Sequence, residues 1–192
     1  VGDFDPQEVE KIIIQKFDSM VMLAKPPKRL EFKIPLDGST NIAIVTDTEF
    51  PQNVIQLIYK LPEFKEKTLK DARTQFTFEL YNAMMNQRIQ ELTQTATPPF
   101  LGGGSEYGSF IGDLDAYTLV ALAKDGHSVS SSLQALLDEN QRVQKFGFTE
   151  PELLRAKKEL GNDIERYYKE RDNVKSANFA QEYLDHFLTK KS

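Results

Sequence analysis

Apolar and polar positions recur with two different periods along this chain, and the changes of period divide it. Val9, Ile12, Ile13 and Phe17 follow helical spacing and form one apolar stripe. The residues in front write the start of that helix. Asp5 is placed to cap it, Pro6 falls at its first position, and Glu8 stands at the third for reciprocal capping. Phe4 and Val9 occupy the two positions of a hydrophobic staple, and Val1–Phe4 reads as the end of a strand. The run "KPPK", residues 25–28, predicts a linker, because paired prolines fix the backbone and disfavour helix before them. Period two then takes over. "RLEFKIPLDGSTNIAIVTDTE" alternates on both sides of Asp37–Gly38 and predicts a hairpin, with Pro35 at an edge or strand end. "NVIQLIYKL" predicts a third strand.

Helical spacing returns at Thr68, which with Asp71 opens a long helix to about Gln94. Leu69, Ala72, Phe76, Leu80 and Ala83 form one stripe on it; Phe78, Tyr81, Met85, Ile89 and Leu92 form another. Two stripes predict burial between layers. Strands are expected around Glu106–Ile111 and Ala116–Lys124, then a helix in "SVSSSLQALLDENQRVQKF" and a helical tail from Pro151 to near Thr189. Gly161 and the polar stretch Asn173–Ser176 are the expected interruptions. The tail repeats the grammar of the first helix: Thr149 caps, Glu152 is third, and Phe148 staples onto Leu153. This order is not a regular alternation of strand and helix. It predicts an α+β fold, a two-layer sandwich in which a mainly antiparallel or mixed sheet has helices packed on one face.

Composition narrows the chemistry. The 192 residues, 40% of them apolar, suffice for one sizeable core, alone or with a small appendage. A net charge of -5 argues against a nucleic-acid backbone binder, which needs a basic face. There is no cysteine, which removes thiol catalysis, disulfides and thiolate-bound zinc. No run approaches the ~18 apolar residues needed to span a bilayer, so no membrane partner is expected.

The two histidines, His127 in "KDGHS" and His186 in "YLDHFL", lack a second histidine at helical spacing. No His-x-x-x-His or His-x-x-Glu-His motif is present. Read as a turn residue and a helix-packing residue, they need no ligand. Asp47 and Glu49 share one face of an extended segment; such a pair can hold a cation or share a proton, and is also common beside turns. "LGGGSEYGSF" allows a close-approaching backbone or a loop beside a cleft, but no Lys-Ser or Lys-Thr follows as a phosphate loop requires. Ser128, Ser130, Ser131 and Ser132 stand where a helix begins, and capping accounts for them without a nucleophile elbow. Asp163, Glu165, Lys169, Glu170, Arg171 and Asp172 mark a solvated helix face. No residue is assigned as catalytic, cofactor-binding or metal-binding.

The order of several stretches carries a resemblance. "VGDFDPQEVEKIIIQKF" resembles the segment that closes the first, zinc-binding unit of the M16 zinc metallopeptidases, the pitrilysin and insulinase family. "NIAIVTDTEFPQNVIQLIYKLP", "LYNAMMNQRIQELTQ", "TPPFLGG", "AYTLVALAKDG", "RVQKFGFTEPELLRAKKEL" and "SANFAQEYLDHFL" are similar to the following, non-catalytic unit of large bacterial members. The resemblance implies an α+β unit that packs beside a catalytic unit and lines part of a chamber in which peptides are cleaved. Family zinc is held by His-x-x-Glu-His and a downstream glutamate. None of that motif occurs here, so the cofactor zinc is expected in the catalytic unit of a parent protein and none in this chain. An arginine–tyrosine pair that contacts substrate in the family belongs to a later unit and is not carried onto Arg166–Tyr167.

The resulting expectations are specific. Residues 1–25 are expected to be a strand–helix remnant of the preceding catalytic unit, and residues 26–192 the non-catalytic domain. The chain alone is expected to be inactive, with a zinc endopeptidase as its parent. Its expected partners are a catalytic M16 unit, in the same chain or a separate one, and a peptide substrate. Two alternatives stay open: the inactive subunit of a two-chain peptidase, and an unrelated protein-interaction module. The bacterial resemblance implies a soluble protein of the cytoplasm or periplasm, without choosing between them.

Overall fold

Local capping fixes where the long helices begin. In the computed structural model, which describes residues 2–21, 27, 30, 32–36 and 38–189, Asp5 Oδ1 accepts from the Gln7 amide at 2.8 Å and starts α1, Pro6–Phe17. The Thr68 amide and hydroxyl both donate to Asp71 Oδ2, and the Asp71 amide donates back to Thr68 Oγ1; α2 follows as Leu69–Thr93. The Thr68 hydroxyl is the main cause that holds the Asp71 carboxyl below its ordinary value. Thr149 donates twice to Glu152 Oε2 where α4, Glu150–Glu170, begins. Between these lie β1 (Asn53–Pro62), β2 (Gly102–Ile111), β3 (Leu114–Ala123) and α3 (Val129–Phe146), and α5 (Ser176–Thr189) closes the series.

The three strands form one antiparallel sheet in the order β1-β3-β2. Gly112 and Asp113 join β2 to β3, and the Gly112 φ of 62° is the left-handed conformation a tight hairpin turn demands. A register shift between Ser109 and Ile111 bulges β2 just before that turn. The odd-numbered side chains Ile55 and Leu57 of β1 and Tyr117, Leu119 and Ala121 of β3 face a helical layer. Met85 and Ile89 of α2, Leu136 and Val143 of α3, and Phe100 complete that core. α2 packs on β2, α3 on β3 and β1, and α4 on α2. This is the expected α+β arrangement with helices on one face.

The chain divides into two compact units. Residues 38–171 hold the sheet with α2, α3 and α4; residues 1–37 together with 172–192 hold α1 and α5.

Four expectations change. The hairpin across Asp37–Gly38 does not form among the described residues: 32–36 and 38–46 contain no strand, and Ile42, Ile44 and Val45 are almost wholly exposed. Period-two alternation creates an apolar face, but an isolated hairpin gains too little by burying it. Arg29, Glu31 and Asp37 of that stretch, and all of "KPPK" except Pro27, lie outside the described residues. Gly2–Phe4 likewise forms no strand, Val1 lying outside the described residues. Only one of the two α2 stripes is buried; Leu69 and Phe76 of the other are exposed. Finally, α4 runs through Gly161 unbroken, while the interruption expected near Asn173–Ser176 is present: a 3-10 turn at Arg171–Asn173 and two non-helical residues precede α5.

Candidate functional site

The residues that sequence reasoning singled out stay apart. Asp47 Oδ1 accepts from the Glu49 amide and the Phe50 amide bonds the Asp47 carbonyl, so the acidic pair builds an exposed turn. His127 sits in a one-turn 3-10 helix, Gly126–Ser128, that Asp125 caps through the Ser128 amide. His186 lies on α5, in the other unit. The glycine run is no loop: Gly102, Gly103 and Gly104 are the first residues of β2. Close approach explains Gly103, where a Cβ would meet the Val120 carbonyl oxygen at 2.6 Å and Ile89 Cγ2 at 3.0 Å. Ser132 does not cap. It is fully buried, and its hydroxyl lies 2.8 Å from both the Pro99 and Ser128 carbonyl oxygens, donating to one at a time. Arg166 pairs with Asp163 along α4, and Tyr167 is exposed.

Among the described residues, no three of His, Cys, Asp and Glu converge as metal ligands would. A catalytic zinc needs about three protein ligands and an open position. The residues present therefore do not fit the ion.

What the helical layer does build is a charge clamp. Arg88, on the buried stripe of α2, donates from Nε to Glu152 Oε1 (2.5 Å) and from Nη2 to Glu152 Oε2 (3.0 Å). Nη1 reaches Glu139 Oε1 on α3 at 3.1 Å, and Nη2 also bonds the Gly147 carbonyl oxygen. The guanidinium stacks over Phe148, 4.9 Å from the ring centre. One side chain thus ties α2 to both α3 and α4. The bonds with Arg88 are the chief cause that pulls Glu152 down to about 2, against the cost of its burial. Bonding to Glu152 likewise holds the Arg88 guanidinium in its charged form, above its ordinary range. A smaller cluster sits at the other end of β3. Buried Asp115 accepts from the Phe64 amide and the Tyr107 hydroxyl, and burial followed by that carboxylate pushes Tyr107 up to about 12.

The sheet face turned away from the helices is different in kind. By register, Val54, Gln56, Ile58 and Lys60 of β1 lie beside Leu122, Val120, Thr118 and Ala116 of β3. Across β3 stand Gly102, Gly104, Glu106 and Gly108 of β2. Val54 and Ile58 are about two-fifths exposed, at 42% and 41%, and Val120 and Leu122 are partly exposed. An apolar ridge therefore runs beside a strip of glycines with little side-chain relief. Such a face suits packing against another protein segment.

A family model described as the M16 peptidase inactive domain matches residues 1–160. The chain belongs to the M16 peptidases. Within that family it corresponds to the non-catalytic domain, as its scattered histidines and carboxylates already indicated. That membership removes the reading of an unrelated interaction module. A curated relative, "Zinc protease PQQL-like" of Arabidopsis thaliana, is 28% identical over 191 residues, covering 99% of this chain and 17% of the relative. The fold matches the periplasmic protease PqqL from Escherichia coli with a TM-score of 0.78 and 19% identity, over 100% of this chain and 21% of that one. The first half of PqqL gives 0.71 at 20% identity, over 100% of this chain and 41% of that one. A predicted insulinase family protease from Yersinia pestis gives 0.73 at 10% identity, over 97% and 40%. The chain spans well under half the length of each of these relatives.

Proposed function

We propose that this M16 domain acts as a scaffold: it packs beside a zinc-bearing catalytic unit and forms part of the wall of a chamber where peptides are cleaved. The family match to an inactive domain is the observation that carries the reading. The open sheet face with Val54, Ile58, Val120 and Leu122 supplies the surface for such a role. Zinc and the water-activating glutamate belong, in this reading, to the catalytic unit. That the relatives carry their matching regions inside far longer chains supports a catalytic unit in the same polypeptide over one in a separate subunit.

The test uses the full-length peptidase with Val54→Glu and Ile58→Glu together. Both side chains are already partly exposed, so the domain's own unfolding midpoint is expected to change little. Peptide cleavage at the distant zinc site is expected to fall at least several-fold with zinc content unchanged. Unaltered cleavage would show that this face neither lines nor supports the chamber.

A further inference from the structure

The sheet has two outer edges, and one of them is closed by a side chain. Ser105 lies mid-way along β2, an edge strand. Its amide donates to Asn86 Oδ1 at 2.5 Å, and Asn86 Nδ2 donates back to its carbonyl oxygen at 3.0 Å. That two-bond exchange is what a residue on a neighbouring antiparallel strand would make. One helical turn earlier, Asn82 Oδ1 accepts from the Ser105 hydroxyl at 2.9 Å, and Asn82 Nδ2 is held by the Phe78 carbonyl. The i, i+4 spacing puts both amides on the same face of α2. A carboxamide is suited to this because it carries a donor and an acceptor side by side, as a peptide group does. Ser105 is buried, so its backbone groups would otherwise be left without water or partner.

We infer that Asn86 is a lock on the β2 edge: it stands in for a missing strand and keeps a second copy of this chain from adding there. The surroundings make the lock necessary. Gly103 and Gly104 on its N-terminal side carry no side chain to hinder an approaching strand, and Gly104 has only Asn86 Oδ1 within 4 Å of where a Cβ would stand. Natural sheets protect such edges with charges, proline or a covering element; here the cover is one amide on α2.

The experiment compares the 192-residue chain with Asn86→Leu and Asn86→Gln. Leucine keeps the volume and removes both bonds; glutamine keeps both groups but displaces them by a methylene. The Ser105 amide is expected to exchange hydrogen at least about 10-fold faster in Asn86→Leu, while amides of β3 do not change. At raised concentration that variant is expected to self-associate beyond wild type by light scattering. If its far-UV dichroism shows it unfolded, Asn86→Gln decides by the same two readings. Unchanged Ser105 exchange would overturn the inference, and so would faster exchange without added self-association.

Discussion

Replacing Arg88 by methionine is the sharpest perturbation of this fold. Methionine fills similar space in the helical layer but removes every bond the guanidinium makes. Glu152 would lose Arg88 yet keep its two bonds from Thr149, and its side chain is 19% exposed. Glu139 is worse placed. Its side chain is 6% exposed, and its remaining cation would be Arg142, 3.5 Å away on a mostly solvated side chain. Removing one member of a buried pair costs about 3–5 kcal/mol, because the other charge stays behind in low dielectric. Loss of the Gly147 bond and of the stacking on Phe148 adds to this. Against a typical domain stability of roughly 5–15 kcal/mol, such a change is a large fraction. Urea unfolding followed by far-UV dichroism measures it. Adding Glu139→Leu to Arg88→Met removes the stranded charge, and the double variant is expected to recover most of the loss. A single variant within about 1 kcal/mol of wild type would refute the reasoning. So would a double variant no more stable than the single one.

The other predictions are narrower. Folding lowers the Glu152 carboxyl from its ordinary 4.5 to about 2, so its contribution is complete above about pH 4.5 and is lost as pH falls toward 2. The gap corresponds to roughly 3 kcal/mol. Acid titration of the unfolding free energy should show that loss in wild type and a much shallower one in Glu152→Gln; identical slopes would contradict it. Ser132→Ala removes a buried hydroxyl that bonds Pro99 or Ser128, and should cost about 1 kcal/mol or somewhat more by urea unfolding. No loss there would show that the hydroxyl does not tether α3 to the Pro99 segment.

Local rules made much of this fold legible. Thr68 with Asp71 and Thr149 with Glu152 are complete within four residues of sequence, and both helices begin where those pairs place them. The strand at Asn53 and the strands around Glu106–Ile111 and Ala116–Lys124 are legible too, although β2 starts earlier than expected, at Gly102 inside the glycine run. Failures came where an element depends on something distant. Ile42, Ile44 and Val45 alternate as a strand should, but no described strand lies against them to turn the pattern into burial. The clamp was also invisible to local reasoning, because Arg88 and Glu152 are 64 positions apart. A signal existed all the same. Arg88 lies on the stripe of Tyr81, Met85, Ile89 and Leu92, and Glu139 falls in step with Ser132, Leu136 and Val143 on α3. A charged residue in a buried stripe demands a partner of opposite sign. Asn86 escapes local reasoning for a related reason: its role depends on which strand stands at the sheet edge.

The central claim, that this M16 domain carries no hydrolytic centre of its own, is tested most directly by zinc analysis and peptide cleavage on the 192-residue chain. After dialysis the account predicts no stoichiometric zinc and no cleavage of an unfolded peptide above the buffer rate. Near-stoichiometric zinc together with cleavage that a chelator abolishes would contradict it.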